Sequence, residues 1–389
     1  METIILPVRI FLFIGLDYFN DANNRFKNHC KLVLFIIMLF TFFIGQIIFF
    51  TNIEEVGAGF LDLANAIPCL FLILQNIFKL TVIRKKHLIK DLILEIAELW
   101  PQEFQSKEKE NVFYDSLRRL KKFRDAILKL TCFGVMIYMC LPIFIYFIWS
   151  CIDGDTPYLY PFQLYYFVKI NSLWKYQVFY LMQIVSGTMI HICMYWSCDL
   201  LLVTLTSDIC ILLRLLQYDL QNIIVQCGRE SLDDLKRIVK THQKLLRLAD
   251  KLNEIFGGIM LNITAVSSVV ICFFGFLTIV VEGKFQKFKN LATVLQCLFI
   301  VFYIMLPGQI LSDTSSGIAD AAYQSMWYNS DPKFKKIIFI IIARSQKPCK
   351  LRAMSYGNMD FNAFCKICST AWSYLSLVNQ MYQKGGFEV

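Results

Sequence analysis

The last apolar segment of the chain carries polar side chains along one side of a predicted helix. They recur at intervals of three and four residues, the spacing of one helix face: Lys366, Ser369, Ser373, Ser376 and Gln380. The opposite face is less polar: Phe364, Ile367, Ala371, Leu375 and Val378. Unsatisfied polar groups that face lipid cost free energy. The stripe therefore faces either another helix or a water-lined path, and the pattern leaves both alternatives open.

Other side chains with reactive groups form only weak motifs. Cys365 and Cys368 have the spacing of a redox or zinc pair, but they lie in a membrane helix without a second pair. Asn262-Ile-Thr264 fits the glycosylation pattern inside an apolar span. His191 is a lone histidine in another span, where polar packing is the favoured interpretation. Without a catalytic constellation, we expect no enzyme activity, no cofactor and no metal.

The composition is that of an integral membrane protein. The 389 residues are 57% hydrophobic, with a mean hydropathy of +0.51. The net charge of +9 comes from residues placed between hydrophobic runs, which excludes a basic nucleic-acid-binding domain. Most of the 14 cysteines lie inside apolar runs, where a thiol behaves as a small core residue.

Hydrophobic runs predict an all-α fold with seven transmembrane helices. The predicted spans are 32–50, 61–83, 130–150, 176–206, 255–281, 291–311 and 361–380. The fourth helix is expected to continue into the cytosol through Ile223, and 228–254 to return as a second cytosolic helix. Pro142 is expected to kink the third span and to free a backbone carbonyl.

The segments between these spans carry further expectations. An apolar patch at 4–16 is expected along the inner face of the bilayer. Residues 282–290 form a tight turn, and 313–329 form a polar connection. A helix at 334–343 is too short to cross a hydrocarbon layer. The loop 151–171 is rich in aromatic residues, which are expected at a membrane surface.

Charge distribution predicts the orientation. Alternate segments hold 31 lysine and arginine residues, whereas the other segments and the tail hold 6. Because cytosolic loops carry the excess of basic residues, the amino terminus is predicted to be cytosolic and the carboxyl terminus extracellular. This arrangement opposes the alternative of a G-protein-coupled receptor. The predicted parts are a cytosolic segment 1–31, helices one to six within 32–312, a cytosolic anchor 313–355, and the last helix with its tail, 356–389.

One stretch of about sixty residues resembles the carboxyl-terminal signature of insect odorant receptors. The residues that carry it are Tyr328-Asn-Ser-Asp-Pro-Lys-Phe334, Arg344-Ser-Gln-Lys-Pro348 and the helix that contains Ser373-Tyr374. The rest of the chain is similar in span count, orientation, loop lengths and the position of Pro142. Ser373-Tyr374 followed by Gln380 also resembles the looser motif of gustatory receptors, so a gustatory-type channel is an alternative. The Arg-Ser-Gln-Lys-Pro run favours the odorant branch.

The resemblance implies a ligand-gated cation channel of four subunits in the plasma membrane of an olfactory sensory neuron. It implies a hetero-tetramer with a shared co-receptor, a small volatile ligand, contact with membrane lipid and no nucleic acid. The long cytosolic insertion of the co-receptor is lacking, so this chain is similar to a ligand-tuned subunit. The cytosolic helical extensions would form the anchor between subunits, and the last helix of each subunit would line a central pore.

The resemblance also implies two sets of site residues. At the pore, Leu377 and Met381 would form a narrow apolar gate and Gln380 an outer constriction, on the helix of Ser373 and Tyr374. A ring of apolar side chains dewets and blocks ions. The ligand pocket would lie in the outer half of helices two to six. Its candidate residues are Phe71, Tyr138, Ile145, Trp149, Phe179, Gln183, Gly187, Phe273, Thr278 and Gln296.

Overall fold

The computed structural model describes residues 3–19, 25–53, 59–153, 158–166, 168, 172–223, 229–354 and 356–384. The regular secondary structure of this part of the chain is helical except for one two-stranded antiparallel sheet. The helices are α1 Ile5–Phe13, α2 Arg25–Thr51, α3 Phe60–Lys79, α4 Lys86–Leu99, α5 Lys107–Asp153, α6 Leu173–Met194, α7 Leu200–Gln221, α8 Arg229–Val280, α9 Lys284–Gln324, α10 Pro332–Ser345 and α11 Phe361–Lys384. The strands are β1 Arg352–Ala353 and β2 Gly357–Asn358.

Five of the described helices are long and apolar enough to cross a membrane. They correspond to the first, second, third, fifth and sixth predicted spans: Arg25–Thr51, Phe60–Val82, Lys107–Ile148, Leu232–Val280 and Lys284–Gln324. α6 and α11, which contain the other two predicted spans, are not among them. α8 alone has 52 residues, so it is roughly 78 Å long and extends far beyond a hydrocarbon layer of about 30 Å.

The amino-terminal segment packs onto the protein with one side. Phe11 of α1 and Ile14 just after it are buried in the main core. Gly15 then turns the chain with a φ of +94°, where a Cβ atom would lie 2.0 Å from the Asn28 carbonyl oxygen. The Thr3 hydroxyl donates to the buried Asp208 carboxylate at 3.0 Å. The predicted contact with the bilayer therefore concerns only the exposed side of α1.

α6 and α7 continue one another through a π-helical turn, Tyr195–Asp199. The long fourth helix is thus present, but the turn within it was not predicted. Lys79, at the end of α3, donates a 2.7 Å hydrogen bond to the Asp199 carboxylate, and both side chains are at most 2% exposed. The Lys79 ammonium also lies 4.1 Å from the centroid of the Tyr195 ring. The π turn therefore fixes α3 to the fourth helix through a buried ion pair.

Pro142 lies inside α5, where the missing amide hydrogen interrupts the helical hydrogen bonds. The hydroxyl of Tyr180 from α6 lies in this interruption. It donates to the Met139 carbonyl at 2.5 Å and accepts from the Ile143 amide at 3.0 Å. A side chain of the neighbouring helix therefore completes the backbone hydrogen bonding around Pro142.

Two segments that were predicted as connections are mostly helical. α9 begins at Lys284 and ends at Gln324, so most of the predicted turn 282–290 and most of the connection 313–329 are helical. Small residues in 313–324 allow a close approach to α7, because a Cβ atom on Gly317 would lie 2.7 Å from Gln217 Nε2. Ile318 and Ala322 are completely buried there. Polarity alone suggested a connection, whereas the spacing of these small and apolar residues supports a helix.

The short helix predicted at 334–343 is present as α10. Phe334, Ile338 and Ile341 are buried against the core, at the spacing of one helix face. Phe339 and Ile340 point the other way and are 72% and 57% exposed. α10 therefore has an apolar face that the single chain leaves uncovered.

Candidate functional site

α11 divides into a packed side and an accessible side. Ile367 and Ala371 are buried, and Leu375 lies so close to α8 that a Cβ atom on Gly275 would be 2.7 Å from its Cδ1 atom. Near the end of the helix, the ring of Tyr382 stacks on Phe60 at 5.6 Å between centroids. The packed side is the less polar face read from the sequence, and it holds α11 against the rest of the bundle.

The predicted pore residues lie on the accessible side of α11. In the single chain Tyr374 is 47%, Leu377 55% and Met381 65% exposed, and Ser373 and Gln380 are also exposed. Two large apolar side chains in this position are unusual for a surface that faces water. They are, however, in the place expected of side chains that meet copies of the same helix.

Two of the three serine hydroxyl groups of this stripe are satisfied within the helix. Ser373 Oγ donates to the Ser369 carbonyl and Ser376 Oγ to the Trp372 carbonyl, each at 3.0 Å. Such bonds remove the cost of placing a serine in an apolar setting. These two hydroxyl groups therefore do not require water, and the stripe stays compatible with either of its two alternatives.

A small cavity beside Tyr138 lies between α3, α5 and α9. This Tyr138 cavity has a volume of about 50 Å³, and its walls are largely apolar or aromatic. They are Cys69, Leu72, Val135, Tyr138, Met139, Phe162, Tyr195, Phe274, Thr293, Gln296, Cys297 and Ile300. Tyr138 and Gln296 are the two sequence-predicted pocket residues among them. Gln296 fits against Gly134, where a Cβ atom would lie 2.3 Å from its Oε1 atom.

The loop residue Phe162 closes one side of the Tyr138 cavity. Its ring lies 5.6 Å from the Tyr138 ring and 5.3 Å from the Phe42 ring, measured between centroids. Gly187 leaves the room it needs, since a Cβ atom there would lie 2.7 Å from Phe162 Cε2. The aromatic loop therefore packs into the bundle at Phe162.

The side chain of Gln183 binds the main chain of this loop. The Gln183 side chain accepts from the Phe162 amide and donates to the Phe162 carbonyl, both at 3.1 Å, and it also donates to the Tyr166 hydroxyl. The side chain is 1% exposed. All of its strong hydrogen-bonding groups therefore have partners within the protein.

A second and larger cavity lies between the loop and the ends of α3, α5, α8 and α9. This loop-facing cavity has a volume of about 640 Å³, within the range typical of small-molecule sites. Its walls are Phe49, Leu61, Asp62, Asn65, Pro142, Ile145, Tyr158, Leu159, Tyr160, Gln163, Leu277, Val281, Gln286, Lys289 and Asn290. Ile145 is the sequence-predicted pocket residue in this set.

The remaining sequence-predicted pocket residues that the structure describes in full line neither cavity. Phe71 and Phe273 pack around the apolar cluster beside the Tyr138 cavity. The ring of Phe179 lies 4.5 Å from the Tyr166 ring, and Thr278 donates to the carbonyl oxygen of Phe274 in its own helix. The Trp149 side chain lies outside the described residues. The nine other residues thus divide between two cavities, their loop and the surrounding packing.

Lys289 is the residue that the sequence reasoning missed. It lines the loop-facing cavity with an 8% exposed side chain, and its Nζ atom lies 5.2 Å from the centroid of the Tyr138 ring. In the sequence it looked like one of the basic residues of an extracellular turn. A signal was available, because Lys289 lies one helical turn before Thr293 on the face that reaches the Tyr138 cavity.

Long helices that are apolar enough to cross a membrane, with cavities between them, define an all-helical membrane protein as the class of protein. A family model described as "7tm Odorant receptor" matches residues 60–372. The chain therefore belongs to the insect odorant receptor family, which is a family of receptors and channels and not of enzymes.

Relatives and solved structures agree with this assignment. Odorant receptor 67a of Drosophila melanogaster is 24% identical over 392 residues, covering 97% of this chain and 95% of its own length. Odorant receptor 85b of the same species is 26% identical over 333 residues, covering 83% of each chain. The olfactory receptor OR5 from Machilis hrabei in complex with eugenol matches the fold with a TM-score of 0.82, 15% identity and coverage of 98% and 100%.

Proposed function

We propose that this chain is a ligand-tuned odorant receptor subunit of a ligand-gated, non-selective cation channel. A single observation carries the proposal within the family assignment. α11 presents Leu377 and Met381 exposed on the same side as its serine stripe. Around a symmetry axis, copies of this side would bring the apolar groups together as a gate that dewets, with Gln380 as an outer constriction.

The ligand of this channel would enter the loop-facing cavity and reach toward the Tyr138 cavity. The support is the volume of about 640 Å³ and the walls, which combine apolar side chains with polar groups and suit a small volatile molecule that carries a polar group. Phe162 would respond to the ligand because it belongs to the loop that lines both cavities. Gln183 would position Phe162 and not contact the ligand, since its hydrogen-bonding groups are occupied.

Gating would follow from stronger binding to one state of the channel. A ligand shifts the closed-to-open equilibrium only by its difference in affinity for the two states. α9 could connect the two sites, because Gln296 lines the Tyr138 cavity and Phe302 stacks on Phe361 of α11 with ring centroids 5.6 Å apart. A displacement of α9 by ligand would therefore reach the start of α11 through direct contact.

The assembly would be a hetero-tetramer with the odorant receptor co-receptor in the plasma membrane of an olfactory sensory neuron. Residues 313–355 would serve as the cytosolic anchor, with the amino terminus cytosolic and the carboxyl terminus extracellular. Support comes from α10, whose Phe339 and Ile340 are exposed in the single chain and available for another subunit.

The direct test is to express the chain with a co-receptor and to record ligand-evoked cation current. Cysteine substitutions at Ser373, Ser376 and Gln380 should be modified by a water-soluble thiol reagent and should then reduce the current. The background carries serine at Cys365 and Cys368, which lie on the same helix.

The matched control is Ala371→Cys on the packed side, where the residue is 2% exposed. This variant should conduct normally and resist modification. Failure to record current with a broad panel of volatiles, despite assembly at the cell surface, would overturn the channel proposal. Resistance of all three accessible-side cysteines in both the closed and the open state would overturn the role of α11 in the pore.

A further inference from the structure

We propose that the ligand carries an acceptor oxygen, in a carbonyl or carboxylate group, that binds the ammonium group of Lys289. The inference rests on the proposed function, because it names the chemical class of ligand for the same cavity. If the ligand binds Lys289 in this way, pure hydrocarbons and amines are expected to be poor ligands. The selectivity arises from one buried cation that the protein leaves without an anionic partner.

The burial of Lys289 is the first observation. The residue is 8% exposed, and it lines a cavity of about 640 Å³. Its ammonium group lies 5.2 Å from the centroid of the Tyr138 ring, at the boundary between the two cavities. A lysine on a protein surface would keep its ammonium group in bulk water, whereas this one is held in the bundle.

The second observation is what surrounds the ammonium group. Among the residues that the structure describes, no carboxylate lies within the 4.0 Å of an ion pair with Lys289. Asp62 lines the same cavity, but its carboxylate accepts a hydrogen bond from the Gly59 amide at 3.2 Å. The ring face of Tyr138 attracts a cation but supplies no hydrogen-bond acceptor of ordinary strength.

A buried cation needs either an acceptor or water. Water can solvate Lys289 while the cavity is open, but a bound ligand displaces that water. A hydrocarbon would then leave the ammonium group without a partner, and an amine would place a second cation beside it. A carbonyl or carboxylate oxygen replaces the lost water, and its hydrogen bond to a charged donor is stronger than one between neutral groups.

The rest of the cavity fits a molecule with one oxygenated end. Ile145, Leu277 and Val281 provide apolar contact for a hydrocarbon part. Asn65 and Asn290 also line the cavity, and each has a buried side-chain oxygen without a partner among the described residues. A water or a hydroxyl of the ligand can donate to these oxygen atoms, so they add polar contact without replacing Lys289.

The experiment compares four probes of one chain length on channels formed with a co-receptor: hexanal, hexanoic acid at neutral pH, hexane and hexylamine. In the wild type, the two oxygenated probes should act at concentrations about 10- to 100-fold lower than hexane or hexylamine. Lys289→Met keeps the length of the side chain without its charge and should abolish this difference. Lys284→Met is the matched control, because Lys284 is exposed on the same helix and does not line the cavity.

A second measurement does not depend on gating. Stabilisation of the purified complex against heat by hexanoic acid reports binding, and it should be present in wild type and Lys284→Met but absent in Lys289→Met. Equal sensitivity of wild type and Lys289→Met to oxygenated probes would overturn the inference, as would a wild-type preference for hexane or hexylamine. Silence of an assembled channel to every volatile would instead refute the proposed function, since the binding measurement would still report on Lys289.

Discussion

Two buried lysines of this protein differ in what surrounds their charge. Lys79 has the Asp199 carboxylate at 2.7 Å and the Tyr195 ring at 4.1 Å. Lys289 has the Tyr138 ring at 5.2 Å and no carboxylate within ion-pair distance in the described part of the chain. Both side chains are at least nine-tenths buried. The region around Lys79 therefore contains a buried ion pair, whereas the region around Lys289 contains a buried charge that faces a cavity.

The difference separates a structural role from a binding role. In the ion pair between α3 and the π turn, each charge already has its counter-charge in contact, so the pair fixes the two helices relative to each other. An unpaired cation beside a cavity lowers the stability of the protein alone, because its burial is not compensated. Such a group is expected where a ligand supplies the missing contact. The two regions make opposite predictions for the same substitution of lysine by methionine.

The largest effect is expected from Lys79→Met. The Asp199 carboxylate would remain buried without its counter-charge, which lowers the free energy of unfolding by about 3–5 kcal/mol. Thermal unfolding of the purified complex in detergent measures the change.

The double variant Lys79→Met/Asp199→Leu is the control for this substitution. It removes both charges and should recover most of the lost stability, because no ion remains buried alone. A double variant as unstable as the single one would show that the lost stability does not come from an unpaired Asp199 carboxylate.

A smaller effect of opposite sign is expected from Lys289→Met. Removal of a buried charge without a carboxylate partner should leave the stability of the ligand-free complex unchanged or raise it by about 1 kcal/mol. The same thermal measurement applies, with Lys284→Met as the exposed comparison. A loss comparable to that of Lys79→Met would mean that Lys289 has a structural partner, and the contrast between the two regions would disappear.

The smallest effect is expected from Lys251→Met. Lys251 pairs with Glu95 between α8 and α4, and the two side chains are 40% and 43% exposed. A solvent-exposed pair contributes about 0–1 kcal/mol, so the melting temperature should change little. Added salt should weaken this pair but leave the Lys79 pair intact. Equal losses from Lys251→Met and Lys79→Met would show that burial is not what distinguishes these pairs.

Local patterns in the sequence were sufficient for most of the helices but not for the partners of the charged side chains. Apolar periodicity predicted the long helices, and the two faces of α11 matched the burial of Ile367 and Ala371. Lys79 looked like an interruption of the second span, because its partner Asp199 lies 120 residues away. Pairing at such a distance in the sequence is set by tertiary packing, which no local pattern reports.

The structure has cavities in the region where the sequence predicts a pocket, but only some of the predicted residues line them. Tyr138, Gln296 and Ile145 line cavities, whereas Gln183 holds the loop and Phe162 enters the bundle. The sequence could indicate an aromatic loop near the ends of helices. It could not indicate that Gly187 leaves space for the Phe162 ring, because that fit depends on how two distant segments meet.

The hydroxyl of Tyr180 within α5 has a mechanical consequence. A proline in a helix usually creates a flexible joint, but here bending at Pro142 would stretch two hydrogen bonds that belong to α6. The two hydrogen bonds therefore couple α5 to α6, so that a movement of one helix at this point is expected to move the other. Tyr180→Phe would remove both hydrogen bonds, so that α5 could bend at Pro142 independently of α6, beside the cavities that α5 lines.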